Sequence, residues 1–225
     1  MKKIILLLCA VLMTSASFAQ KKKTPSKAAN TNKTVLTKSG NMTVELLKKK
    51  DAYRLYLLVP DAKKKLDTLS LKTAAYDPKA APAVKDNNVP INCTVTAFTS
   101  KGVKLYNITW TEKAITEIPD KKEDATRTVS EIWNLDTKNQ LYSNTQTSTK
   151  ITEILYLDKL KNASQTSEKM RNEGFNMTVT PEGDLVLKNK TQENKMTFDA
   201  TEGKYIAVKN APQPAAAVKP AKKKK

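Results

Sequence analysis

The chain has 225 residues, with 40 Lys and Arg against 22 Asp and Glu, a formal net charge of +18, no histidine, five glycines and two cysteines. Without histidine, His-based triads, His general bases and zinc sites of the usual His and Cys composition are excluded. No Walker-type or dinucleotide-binding Gly-rich loop is present, so no catalytic, cofactor-binding or metal-binding residue is nominated by motif.

The chain opens Met1, Lys2, Lys3, followed by an apolar run from Ile4 to Met13 and then Ser17-Phe18-Ala19. A basic start, an apolar stretch of this length and small residues at minus three and minus one are the three parts of a cleavable export signal. Residues 1–19 are therefore read as a signal peptide, cut before Gln20. The run is shorter than the roughly 20 apolar residues of a membrane-spanning helix. Cys9 follows Leu8, where lipid attachment would want a small residue. The expected location of the mature chain is exported and bacterial, in the periplasm, on the surface or secreted, with no transmembrane segment. Cys93 is then the one remaining cysteine, so no internal disulfide forms. In the alternation Ile91, Cys93, Val95, Ala97 it reads as a small core hydrophobe.

Residues 20–39 carry six lysines and no acid, and residues 210–225 carry five lysines and no acid. With these and Lys2 and Lys3 set aside, 27 of the basic residues face all 22 acids in residues 40–209, a balance of only +5. The basicity belongs to the arms. Lys-, Thr-, Pro- and Ala-rich composition without apolar periodicity predicts disorder for the 20–39 arm and the 210–225 tail. Nine of their lysines, Lys21, Lys22, Lys23, Lys27, Lys219, Lys222, Lys223, Lys224 and Lys225, are the candidate polyanion-binding residues, suited to anionic polymers or lipid headgroups.

Between the arms, residues 40–209 read as a β-rich globular domain, because the dominant apolar period is two. Strands are predicted near 42–48, 53–59, 66–72, 91–98, 103–111, 126–135, 140–148, 151–157, 175–180, 185–188, 195–199 and 204–208. Ser100-Lys101-Gly102, Pro181-Glu182-Gly183-Asp184 and Ala200-Thr201-Glu202-Gly203 are turn sequences between alternating runs, so residues 175–208 form a four-stranded meander. Ser164 suits a helix cap, Gln165 to Glu173 contains good helix formers and Gly174 suits a left-handed C-terminal position; the spacing predicts one short helix over 164–174. Pro78 and Pro82 break residues 74–88 into a long connection. The fold class is mainly β, an antiparallel meander forming a sandwich or a barrel.

Three functions follow from this pattern. The first is a non-catalytic envelope or secreted binding or structural module, held near anionic surfaces by its lysine arms and without specific nucleic-acid recognition. The second is a lipocalin-like carrier of an apolar or glycolipid ligand, its pocket lined by aromatics such as Trp110, Trp133, Tyr142 and Tyr156. The third is a glycoside hydrolase working with two carboxylates, for which Glu131 beside Trp133 and Glu153 beside Tyr156 are the candidates. Against the third, charges on strands ordinarily pair across the sheet. Asp120, Glu123 and Asp124 lie among lysines and lack the calcium-loop pattern, which makes them a solvated turn.

Overall fold

The structure is a computed structural model; it describes residues 32–50, 52–60, 66–75, 79 and 87–208. The predicted signal, residues 20–31 of the basic arm, the tail, all nine candidate polyanion-binding lysines and most of the 74–88 connection lie outside the described residues. Thirteen strands and no helix are found among the described residues.

The strands form three antiparallel sheets, each a simple meander. The first contains β1 (Lys33–Ser39), β2 (Met42–Lys48), β3 (Ala52–Pro60) and β4 (Leu66–Ala75). The second, central sheet contains β5 (Pro90–Ser100), β6 (Val103–Ile118), β7 (Lys121–Asn134), β8 (Asn139–Tyr156) and β9 (Ser164–Gly174). The third contains β10 (Asn176–Val179), β11 (Leu185–Lys188), β12 (Glu193–Asp199) and β13 (Lys204–Ala207). Strands adjacent in sequence pair within each sheet, as two-residue turns require: Lys101 and Gly102 both have positive φ, which matches the right-handed twist of the flanking strands.

Alternation along the central sheet sends side chains to opposite faces, and each face has its own apolar core. On one face Cys93, Val95, Ile108, Trp110 and Val129 pack against Met42, Val44, Leu46, Leu55 and Leu57 of the first sheet. On the other, Leu105 and Ile132 pack against Leu185, Phe198 and Tyr205 of the third sheet. The first and third sheets therefore cover opposite faces of the second, which is wider and longer than either cover needs. Its far half, built from the second halves of β6 and β8, the first half of β7 and most of β9, leaves Ile118, Ile154, Leu155 and Met170 exposed.

Four expectations are corrected. The sheets have free edges and no closed barrel is found. Residues 164–174 form no helix: Ser164 to Gly174 pair with Tyr156 to Gln146, the C-terminal part of β8, and the ladder overrides the modest helix preference of Glu168, Lys169, Met170 and Arg171. Gly174 does adopt a positive φ of 80°, but it ends a strand, and any Cβ there would run into the Thr145 carbonyl. Residues 33–39, expected within the disordered arm, form β1, paired with β2 and anchored by Leu36 on the core and by Lys33 to Glu45 at 2.7 Å. The two strands predicted at 140–148 and 151–157 are one, because Thr149 is buried and pairs with Ala125 in an unbroken ladder.

Candidate functional site

The side chains expected to matter are dispersed by the fold. Glu131 and Glu153 project from the face of the central sheet that meets the first sheet, but Glu131 pairs with Ser143 and Glu153 lies ten residues farther along β8. At the strand rise this is about 33 Å, far beyond the roughly 5–10 Å between the carboxylates of a glycoside hydrolase. Glu131 is buried, and the Trp133 indole donates to it at 2.8 Å. Burial pushes its carboxyl above the usual carboxylate range, against the indole and the Lys72 charge, which pull it down. Glu153 sits instead between Lys121 at 3.7 Å and Lys169 at 3.5 Å. Asp120 accepts from the Tyr156 hydroxyl at 2.8 Å, Glu123 pairs with Lys121, and no metal-holding cluster exists among the described residues.

A second Trp–Glu pair is buried more deeply on the same face. Glu112 is fully buried; the Trp110 indole donates to its Oε1 at 2.6 Å, and the Lys72 ammonium of β4 donates to the same oxygen. Arg127 stands 3.9 Å from Oε2 and donates to Asn88 at 2.8 Å. This arrangement joins the first sheet to the second. It is a structural ion pair inside a packed layer, closed to a ligand.

A large cleft lies on the opposite face. Register places Thr128 and Gln146 with Gly174 in one row across β7, β8 and β9, and Thr126, Ser148 and Asn172 in the next. Beyond these rows, toward the β5–β6 turn, the third sheet covers the same face, and its β11–β12 turn leans over as a wall carrying Lys188, Asn189, Lys190 and Thr191. The cleft measures about 670 Å³, within the range of pockets that take small ligands. Gly174 and Phe175 make it possible. The chain leaves β9 at the positive φ of Gly174, the Asn144 carboxamide holds the Phe175 carbonyl at 2.8 Å, and β10 begins on the covered side of the face.

The chemistry of the lining separates it from its surroundings on the same face. In the row above, Thr109 donates to Ser130 at 3.0 Å, and at the β5–β6 end of the Thr128 row Thr111 donates to the Asn92 carboxamide at 2.6 Å, so these hydroxyls have partners within the sheet. In the cleft, Thr126, Thr128, Gln146, Ser148 and Asn172 make no side-chain hydrogen bond to any described residue. The wall, by contrast, is braced from within: the Asn189 Oδ1 accepts from the backbone N–H groups of Thr191 at 2.9 Å and Gln192 at 2.8 Å. Lys188 is paired with Glu193 at 3.0 Å, and Lys190 has no ion-pair partner among the described residues. Among the described residues no carboxylate and no aromatic ring lines the cleft.

Sequence reasoning passed over this site. Its only local signals are the period-two polar runs Thr126, Thr128, Ser130 and Asn144, Gln146, Ser148, which mark one polar face on each of two paired strands. Searches of protein-family models, of curated proteins and of solved structures find no match to this chain.

Proposed function

We propose that this chain is an exported, non-catalytic binding module that takes a polar ligand in the cleft of its central sheet while its lysine arms hold it near an anionic surface. The observation that carries the reading is the set of five hydroxyl and carboxamide side chains, none bonded to another described side chain, that face the braced β11–β12 turn across the cleft. A lining of hydroxyls, amides and lysines supplies hydrogen bonds and charge, but neither the paired carboxylates of glycoside hydrolysis nor an activated nucleophile. The Met1–Ala19 pattern supports export. The lipocalin-like reading draws less support, since the sheets are open and the aromatics it needed lie elsewhere: Trp110 fills the layer between the first two sheets, and Tyr142 stacks edge-on with Tyr205 beneath the third.

The division of labour between arms and cleft is tested in the full chain by replacing the nine arm lysines with glutamine. Binding to lipopolysaccharide vesicles and to immobilised heparin at low and physiological salt is then compared with the parent. Exposed charges are screened over about 8 Å at physiological salt, so attraction through the arms is salt-sensitive and falls at least tenfold in the glutamine variant. Unchanged, salt-resistant binding by that variant would remove the arms from the reading.

A further inference from the structure

Resting on the reading of the cleft as a binding site, we propose its ligand class: an acidic oligosaccharide, whose ring hydroxyls meet Thr128, Gln146, Ser148 and Asn172 and whose carboxylate meets Lys190. Each Thr and Ser hydroxyl both donates and accepts, and each Gln or Asn carboxamide carries two donors and an acceptor. Sugar hydroxyls have the same dual character, so such an array matches a polyol more fully than it matches a peptide, whose side chains are largely apolar or singly functional. The geometry repeats in two directions. Neighbouring strands set polar groups about 4.8 Å apart, comparable with the length of one pyranose unit, and successive rows on one face lie about 6.7 Å apart. A short saccharide laid across β7, β8 and β9 along the lower row would find Thr126, Ser148 and Asn172 as successive polar partners, with Thr128 and Gln146 of the upper row beside it.

Charge selects among saccharides. Among the described lining residues the only ionised groups are Lys188, already held by Glu193, and Lys190 at the apex of the turn. A third exposed cation, Lys113, pairs with Thr126 on the outer side of the lower row and has no ion-pair partner among the described residues. Lys113, one strand outside the lower row, and Lys190 on the wall are both cations without an ion-pair partner among the described residues, and the described lining offers no carboxylate to repel an anion. The absence of aromatic rings from the lining argues against nucleic acid, which single-strand binders hold by base stacking. It argues equally against a saccharide bound by ring stacking, so hydrogen bonds carry the recognition here. The braced turn means that little ordering entropy is lost when the ligand enters.

The experiment uses the full chain with its nine arm lysines replaced by glutamine, so that only the folded part is read. Calorimetric titration compares three probes: a galacturonate oligomer, its fully methyl-esterified counterpart and a short single-stranded DNA. The acidic oligomer is expected to bind, the ester about tenfold more weakly and DNA not at all. Lys190→Gln should weaken the acidic oligomer about tenfold and leave the ester unchanged. Gln146→Ala with Asn172→Ala should weaken both probes about tenfold. Circular dichroism and urea midpoints confirm that these surface variants fold. No binding of either sugar, equal binding of acid and ester, binding unmoved by the Gln146 and Asn172 changes, or preference for DNA each overturns the ligand class. The binding-module reading fails on a different result, saturable uptake of an apolar probe with no polar competitor able to displace it.

Discussion

The two faces of the central sheet are built from the same alternating strands and yet do different things. Toward the first sheet, the covered rows form an apolar layer that closes even over a charge: Glu112 is fully buried between Trp110 and Lys72. Toward the third sheet, apolar residues occupy only the rows near the β5–β6 turn, and hydroxyls and carboxamides take over where the cover stops. Cover and composition change together along a single strand. On β7, Ile132 is fully buried under the third sheet while Thr128, four residues away on the same face, lines the cleft. Burial therefore pins one face to its partner layer, and a shortened partner frees the other for recognition.

The strongest test of the closed face is Lys72→Met. It removes the closest cation from the buried Glu112 carboxylate and leaves it Trp110 and Arg127, so the cost is about 3 kcal/mol, the low end for losing one partner of a buried pair. Urea unfolding should show that loss, and the double change Lys72→Met with Glu112→Leu should recover most of it. A single change with no effect would mean that the layer is wet.

The two residues on β7 give the next contrast. Ile132→Ala should cost about 3 kcal/mol by leaving a cavity beneath the third sheet. Thr128→Ala should stay within about 0.5 kcal/mol, as surface changes do. Similar losses at both positions would erase the difference between covered and open rows.

Alkaline titration probes both layers at once. Burial pushes the Cys93 thiol up from 9.0 to about 12 and the Tyr205 hydroxyl up from 10.0 to about 12. In the unfolded chain these groups lose their protons first, so the folded state binds more protons over this range and its stability falls as pH rises. The contribution is complete below pH 9 and is lost between about pH 9 and 12 for Cys93 and about pH 10 and 12 for Tyr205. Urea midpoints at rising pH should decline over that window, and Cys93→Ala should delay the onset by about one pH unit.

The smallest effect belongs to the uncovered half of the central sheet. Arg171 reaches Glu123 at 3.6 Å and Glu173 at 3.2 Å across exposed strands. Exposed pairs contribute under about 1 kcal/mol, so Arg171→Ala should lower stability by less than that, and 1 M salt should abolish the difference.

Much of the scaffold is legible in the sequence where period two is clean: β2 and β11 match their predicted ranges residue for residue, and the four-stranded meander of the third sheet is announced by its Gly183 and Gly203 turns. Legibility fails where pairing, and not local preference, decides the structure. β9 is spelled in helix formers because both its faces meet solvent, so nothing in its own residues records the ladder to β8. β1 hides among lysines because Leu36 alone of its apolar residues packs on the core. The cleft was beyond reach for the same reason. Its floor comes from three strands in a register no single strand encodes, and its wall comes from a turn that follows β11, more than ten residues past the end of β9.

The meander order also bears on how the chain acquires its structure. Every ladder joins strands that are neighbours in sequence, so each pairing closes a short loop, and topologies of this kind pay the least closure entropy before contacts form. A chain delivered from its N-terminal end completes the first sheet before β5 emerges, and the second before β10 emerges. Because β10 to β13 arrive last and cover only the rows beside the β5–β6 turn, the cleft is the final feature to assemble, and its floor is already paired when the wall comes down beside it.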